Sequence, residues 1–228
     1  MDETPLILAI DTSTDQAGIA LARGADVLEE RLWRPGQNQT VELLPAIARI
    51  LSERGLSQSD LGALAVARGP GSFSGLRVAL ATAKGLALAL DLPIVGIGTL
   101  EVEAFPYRAS GRTVCPVLDA GRGDIYVALF SARDAEWTRL WEEQIAAPEE
   151  VAARVPVGTM FCGEIPEAAR DVLSNAGRGT LVAPDRPRSA AALAVMAWAR
   201  LARGERDDVA TLQPLYIRRP AVTTRRKP

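Results

Sequence analysis

Apolar residues recur along this chain in two rhythms. Leu6 to Asp11, Gln16 to Leu21 and Val27 to Trp33 are short runs joined by tight turns, the third alternating as Glu29 and Arg31 fall between apolar neighbours. Such runs predict three strands in an antiparallel meander. From Gln39 to Arg54 the period becomes helical: Val41, Leu44, Ile47, Ala48 and Leu51 share a stripe that Leu43 and Ile50 widen. Pro45 lies too deep for the first helical position, so a kink or a regular start near Leu44 is expected; Gly55 marks the end. Ala63 to Ala67 reads as a buried strand, Gly69 to Gly75 as a glycine turn, Gly75 to about Leu90 as a second helix and Ile94 to Ile97 as a further strand. The order to this point is β-β-β-α-β-α-β.

A short helix, Leu100 to Phe105, and a polar connection, Pro106 to Arg112, precede a second round of the same pattern. Val114 to Leu118, Asp124 to Phe130 and Trp137 to Ile145 are its strands, Pro148 to Arg154 a helix, Val157 to Cys162 a strand and Pro166 to Ala176 a helix. Asp11 and Asp119 then stand at the same place in two successive units, which predicts an internal duplication of fold. The expected architecture is α/β, with duplicated β-β-β-α-β-α lobes of the actin, Hsp70 and sugar-kinase (ASKHA) type. The lobes divide at 1–105 and 106–228, the second carrying a terminal helix, Ser189 to Arg203, capped by Ser189. Leu212 to Ile217 is expected to dock as a strap, followed by a solvated basic end that includes Arg218, Arg219, Arg225, Arg226 and Lys227.

Composition narrows the chemistry. With 228 residues, 48% of them hydrophobic, the chain can bury a sizeable core, and a net charge of -2 gives no electrostatic reason for independent, tight binding to nucleic acid. The acidic N-terminus resembles neither a signal peptide nor an anchor, and Arg77 and Lys84 interrupt the longest apolar helix, so a soluble cytoplasmic protein is expected. Cys115 and Cys162 sit in apolar strands and read as buried free thiols. Histidine is absent. That removes the commonest general base, the Ser-His and Cys-His nucleophiles and every histidine-containing metal site, leaving carboxylate or lysine chemistry.

Two regions could carry function. One is the loop Gly69-Pro70-Gly71-Ser72-Phe73 with Gly75, which could cradle an anion at a helix N-terminus near Asp11. It lacks the Gly-Lys-Ser/Thr ending of a P-loop, and Lys84 lies well inside the helix. The superfamily's first turn normally carries Asp-x-Gly; here Ser13 replaces the glycine, and in the second lobe Arg122 enters the corresponding turn, so the phosphate cradle reads as degraded. The other region is the helix that follows, where Arg77, Ala81, Lys84 and Leu88 trace a stripe among small residues. With the Leu43, Ile47 and Ile50 side of the preceding helix it predicts an apolar association surface.

Ile10-Asp11-Thr12-Ser13, Glu42-Leu43-Leu44-Pro45, Gly69 through Arg77, Ala81 through Ala87, Gly98-Thr99-Leu100-Glu101 and Asp119-Ala120 with Gly123-Asp124-Ile125-Tyr126 together resemble the TsaB (YeaZ) family. The resemblance is strongest over residues 6 to 130, and Pro214 to Arg218 adds to it. It implies a non-catalytic subunit of the machinery that makes threonylcarbamoyladenosine beside the anticodon of tRNA. In that family TsaD is the catalytic partner, TsaE joins at their junction, and the same helices pair the subunit with itself when it is alone. It further implies no cofactor of its own, with ATP or ADP at the complex interface, tRNA reached only through the complex, no membrane, and a partner interface at Gln39, Thr40, Leu43, Leu44, Ile47, Arg77, Ala81, Lys84 and Leu88. Gln39 replaces a histidine common in the family, and Ser74 a threonine. The alternative is an autonomous ATP-dependent enzyme of the actin and sugar-kinase class; a metallopeptidase lacks the histidine pair it needs.

Overall fold

Every residue of Leu6–Asp11 is buried, because this strand, β1, runs through the middle of a five-stranded sheet. The computed structural model describes residues 4–36, 38–131, 137–175, 181–184 and 186–217. Strand β1 pairs antiparallel with β2 (Ala17–Arg23), which pairs antiparallel with β3 (Asp26–Trp33). On its other side it pairs parallel with β4 (Ala63–Ala67), and β5 (Ile94–Ile97) completes the order β3-β2-β1-β4-β5. An uninterrupted apolar strand must be covered on both faces. Leu6, Leu8 and Ile10 enter one core layer and Ile7 and Ala9 the other, as the two-residue period of a strand requires.

Helices α1 (Gln39–Ser52) and α2 (Phe73–Leu90) cover the first of these faces. Pro45 lies inside α1 without ending it. The carbonyl that its missing amide would have engaged belongs to Val41, whose residue is 73% exposed, so water can serve that oxygen. Leu43, Ile47, Ile50 and Leu51 point into the core, as do Ala79, Leu80, Ala83 and Ala87 of α2. Helix α2 is long and apolar enough by composition to cross a membrane, yet this buried stripe makes it a core helix of the lobe.

The second half repeats the plan. Strands β6 (Thr113–Gly121), β7 (Asp124–Ser131), β8 (Thr138–Ala146), β9 (Met160–Gly163) and β10 (Leu181–Val182) form a sheet of order β10-β9-β6-β7-β8, strand for strand the order of the first. Helices α4 (Pro148–Arg154) and α5 (Glu167–Ser174) pack on its outer face through Val151, Ala152, Ala169 and Leu173. The duplicated α/β architecture of the actin, Hsp70 and sugar-kinase type is therefore present; the two-residue β10 is too short to have a periodic signature.

The division at residue 105 is corrected by what covers the inner faces. Helix α3 (Thr99–Ala104), from the first half, places Leu100 and Ala104 against Val114, Leu118, Ala128 and Phe130 of the second sheet. Helix α6 (Ala190–Leu201), from the second half, returns to the first sheet, where Leu193, Ala194 and Ala197 meet Ile7, Ala9, Ala20 and Ala65. Small alanines on that face let a helix backbone come close. Each lobe is thus completed by the other half's helix. The expected strap is docked on the first lobe too: the Asp207 amide donates to the Ile94 carbonyl, Leu215 to that of Arg68, and Leu212 is buried beside Gly96. The basic end from residue 218 lies outside the described residues.

Candidate functional site

The glycine loop and the Asp11 turn face each other at the carboxyl ends of β4 and β1, where a fold of this type opens toward ligands. Their contact is close: a side-chain carbon on Gly71 would stand 2.1 Å from the Ser13 carbonyl oxygen, so only glycine fits there. The Ser72 amide donates to that same oxygen at 2.6 Å, the Gly69 amide to Thr99 Oγ1 at 3.0 Å, and the Gly75 amide to Ser72 Oγ at 3.4 Å, capping α2. Thr12 Oγ1 donates to the Gly75 carbonyl at 2.7 Å, and Thr99 Oγ1 to the buried Ser13 hydroxyl at 2.9 Å. These amides are committed to the protein. Of the expected anion cradle Gly69, Gly71, Ser72, Phe73 and Gly75, the amides of Gly69, Ser72 and Gly75 are thus engaged within the protein, and the loop is the joint that seats α2 against the first turn.

Asp11 is likewise committed, and to a residue the sequence reading passed over. Arg188, just ahead of the Ser189 cap of α6, donates from Nε to Asp11 Oδ2 at 2.6 Å and from Nη2 to Oδ1 at 3.3 Å, while the Ser13 amide reaches Oδ1 at 2.8 Å. Nη1 donates to Glu164 Oε1 at 2.9 Å, and Nη2 also meets Thr14 Oγ1 at 3.1 Å. Thr14 Oγ1 in turn donates to Glu164 Oε1 at 2.7 Å. The Arg188 side chain is only 2% exposed. Burial opposes its charge, but the Asp11 carboxylate and its hydrogen bonds outweigh that and hold the guanidinium protonated well above its usual range.

Glu103 of α3 completes the cluster. Its Oε2 lies 3.8 Å from Arg188 Nη1, an ion-pair distance too long for a hydrogen bond, and has no hydrogen-bond partner. Burial pushes this carboxyl up to about 7, only partly offset by Arg188 and reinforced by Glu164 and Asp11. The two cysteines are buried thiols whose ionisation burial pushes upward, with Glu103 adding to the effect at Cys162. Nothing in the spacing of Glu103, Glu164 and Arg188 hints at convergence; a charged residue beside a helix cap ordinarily faces water.

Beyond the cluster the cleft widens into a cavity of about 310 Å³ bordered by Asp15, Gly71, Ser72, Asp119 and Tyr126, and an adjoining one of about 480 Å³ bordered by Gln16, Arg34, Arg170 and Arg186. Asp119 is exposed, its Oδ1 accepting from the Gly121 amide at 2.7 Å, so it is no mirror of the buried Asp11. Among the described residues no group of three Asp, Glu, Cys or His side chains is arranged to hold a metal ion. A metal-bound nucleotide of the kind this fold family uses does not fit the Asp11 turn, because a guanidinium and a loop backbone already fill it.

The second candidate region is the outer surface of α1 and α2. Thr40, Leu44, Arg77, Ala81 and Leu88 are exposed there, Leu44 to 53% and Leu88 to 72%, together with Val41, Pro45, Ala48 and Gly85. Leu43 and Ile47, expected on this surface, are buried against the sheet, and Ile50 with them. The expected Lys84 is turned away as well: its Nζ donates to the carbonyls of Ala210 and Leu212 and pins the strap. Gln39 opens α1, but its side chain lies outside the described residues. At the N-terminal end of the surface the Arg77 guanidinium lies over Phe73, which packs against Tyr216 of the strap with ring centroids 5.1 Å apart.

Comparison with known proteins adds a family. A family model described as TsaD, tRNA N6-adenosine threonylcarbamoyltransferase, matches residues 36–225. The chain is 38% identical over 128 residues to the tRNA threonylcarbamoyladenosine biosynthesis protein TsaB of Bacillus subtilis, 56% of each chain, and 38% identical over 153 residues to that of Escherichia coli, 65% of each. These alignments span less than two thirds of the relatives' own length. Among solved structures, YeaZ from Pseudomonas aeruginosa superposes with a TM-score of 0.78 at 27% identity, covering 93% of this chain and 99% of that one.

Proposed function

This chain belongs to the family whose model is described as TsaD, tRNA N6-adenosine threonylcarbamoyltransferase, with TsaB (YeaZ) proteins among its relatives, and from that premise we propose that it serves threonylcarbamoyladenosine formation in tRNA as a non-catalytic subunit, docking the catalytic TsaD on the outer surface of α1 and α2. The observation that carries this reading is the unpartnered apolar strip of Val41, Leu44, Ala81 and Leu88 on two adjacent helices, ringed by Arg49 and Arg77. Small residues at Ala81 and Gly85 let another helix approach closely, while the exposed leucines supply the apolar contact. TsaE joins at the resulting junction, ATP or ADP belongs to that joint interface, and tRNA is reached through the complex in the cytoplasm. Alone, the chain pairs with itself through the same strip.

The Asp11–Arg188 pair weighs against the alternative of an autonomous ATP-dependent enzyme, since the carboxylate that would manage a metal is already neutralised. The docking reading is tested with Ala81→Arg and Leu88→Glu. Both positions are exposed, so the fold should survive, with an unchanged circular dichroism spectrum and melting curve. Co-elution with TsaD on size exclusion should be lost. Undiminished co-elution of both variants would reject the surface.

A further inference from the structure

Three carboxylates, Asp11 at the end of β1, Glu103 on α3 and Glu164 just beyond β9, converge on the Arg188 side chain. Asp11 and Glu164 come from opposite lobes, and without a counter-ion their like charges would oppose closure of the cleft. In a two-lobed protein whose counter-ion arrives with a ligand, closure depends on the ligand. Here the positive charge is part of the chain. We propose that Arg188 is a resident cation that stands in for a ligand-borne one and, through Glu164, holds the two lobes at a single fixed closure.

The anchoring supports this. Arg188 is fastened at its base to the first lobe: Ser189 Oγ and the Ala191 amide both donate to Glu30 Oε1 on β3, at 2.9 and 2.8 Å, and Ser189 caps α6, which packs on the first sheet. Gln16 Nε2 donates to the Arg188 carbonyl at 3.2 Å, fixing the backbone itself. From this base the planar fork spends Nε and Nη2 on Asp11 of the same lobe and extends Nη1 to Glu164 of the other. Thr14 Oγ1 makes a second link to the same Glu164 oxygen. A guanidinium suits this bridging because its donors are fixed in one plane, whereas a lysine ammonium is a point charge on a flexible stem. The inference accords with the non-catalytic reading but does not need it: it concerns lobe closure, and association with TsaD is not its readout.

Spin labels on the full chain at Gln58→Cys, in the exposed turn before β4, and Ala153→Cys, on exposed α4, report the distance between the lobes. Native Cys115 and Cys162 are buried and escape labelling. Double electron–electron resonance should give one narrow distance distribution that millimolar Mg²⁺ and ATP leave unchanged. Glu164→Ala keeps the buried Asp11–Arg188 pair and so keeps the fold, but it removes the oxygen that Arg188 Nη1 and Thr14 Oγ1 share and should broaden the distribution, roughly doubling its width. Arg188→Lys should broaden it likewise. A narrow, unshifted distribution in Glu164→Ala would overturn the proposal, as would a wild-type distance that shortens when Mg²⁺ and ATP are added.

Discussion

Glu103 is the least comfortable residue in the cluster, buried with one oxygen unbonded and its carboxyl pushed up to about 7 from an ordinary 4.5. The native state therefore holds a proton that the unfolded chain releases between those values. Stability from this group is fully present below pH 4.5 and is lost as pH rises through about 7. The change amounts to on the order of 3 kcal/mol for a shift of this size. Arg188, Arg186, Asp11 and Glu164 are the charged groups that act on it, and Arg188 keeps its charge throughout this window. Glu103→Gln should remove the effect. In urea titrations at pH 5 and pH 8, wild type should lose stability relative to the variant on going to the higher pH; a constant difference would reject the assignment. Asp11 carries the complementary lesson at this scale. As a letter in the sequence it suggests a metal, and only the approach of Arg188, 177 positions away, shows its charge to be already spent.

At the scale of the element, α1 shows how one residue of rotation separates a core position from a surface one. Leu43 is 1% exposed and Leu44 53%. The heptad-like stripe read from the sequence was wide enough to contain both, and periodicity alone does not say which edge of a stripe faces the sheet. The consequence is an asymmetric pair of outcomes. Leu43→Ala should cost about 3 kcal/mol in urea denaturation because it opens a cavity in the first lobe. Leu44→Ala should cost less than about 0.5 kcal/mol. Equal losses would mean that α1 is rotated from the orientation described. The glycine loop makes the same point from the other direction: Gly71 is required by the 2.1 Å approach to Ser13, a packing need that reads in sequence like a phosphate loop.

At the scale of the whole molecule, the crossing of α3 and α6 ties the halves together. Helix α6 lies in the second half of the chain but shares a core with β1, β2 and β4. Its amides should therefore exchange hydrogen with the same opening free energy as those of β1 and β2. Leu193→Ala should speed exchange in α6, β1 and β2 while leaving β6 and β7 less affected, as read by mass spectrometry. Acceleration confined to α6 and the second sheet would restore the division at residue 105.

The sequence by itself determined the helices, every strand but the two-residue β10, and their duplicated order, because side-chain periodicity and turn chemistry are local and each longer run carries its own signal. It also limited the chemistry, since a chain without histidine has few routes to catalysis at neutral pH. The six motifs that mark the TsaB family were legible for the same reason, being contiguous. Tertiary structure alone decided what long-range contact decides: that Arg188 neutralises Asp11, that Lys84 holds the strap instead of facing a partner, that Leu43 and Ile47 are core, and that α6 belongs to the first lobe. These pairings join residues up to 177 positions apart, and their energies arise from burial and from the exclusion of water between charges. Neither quantity is defined for a residue until its neighbours in space are known.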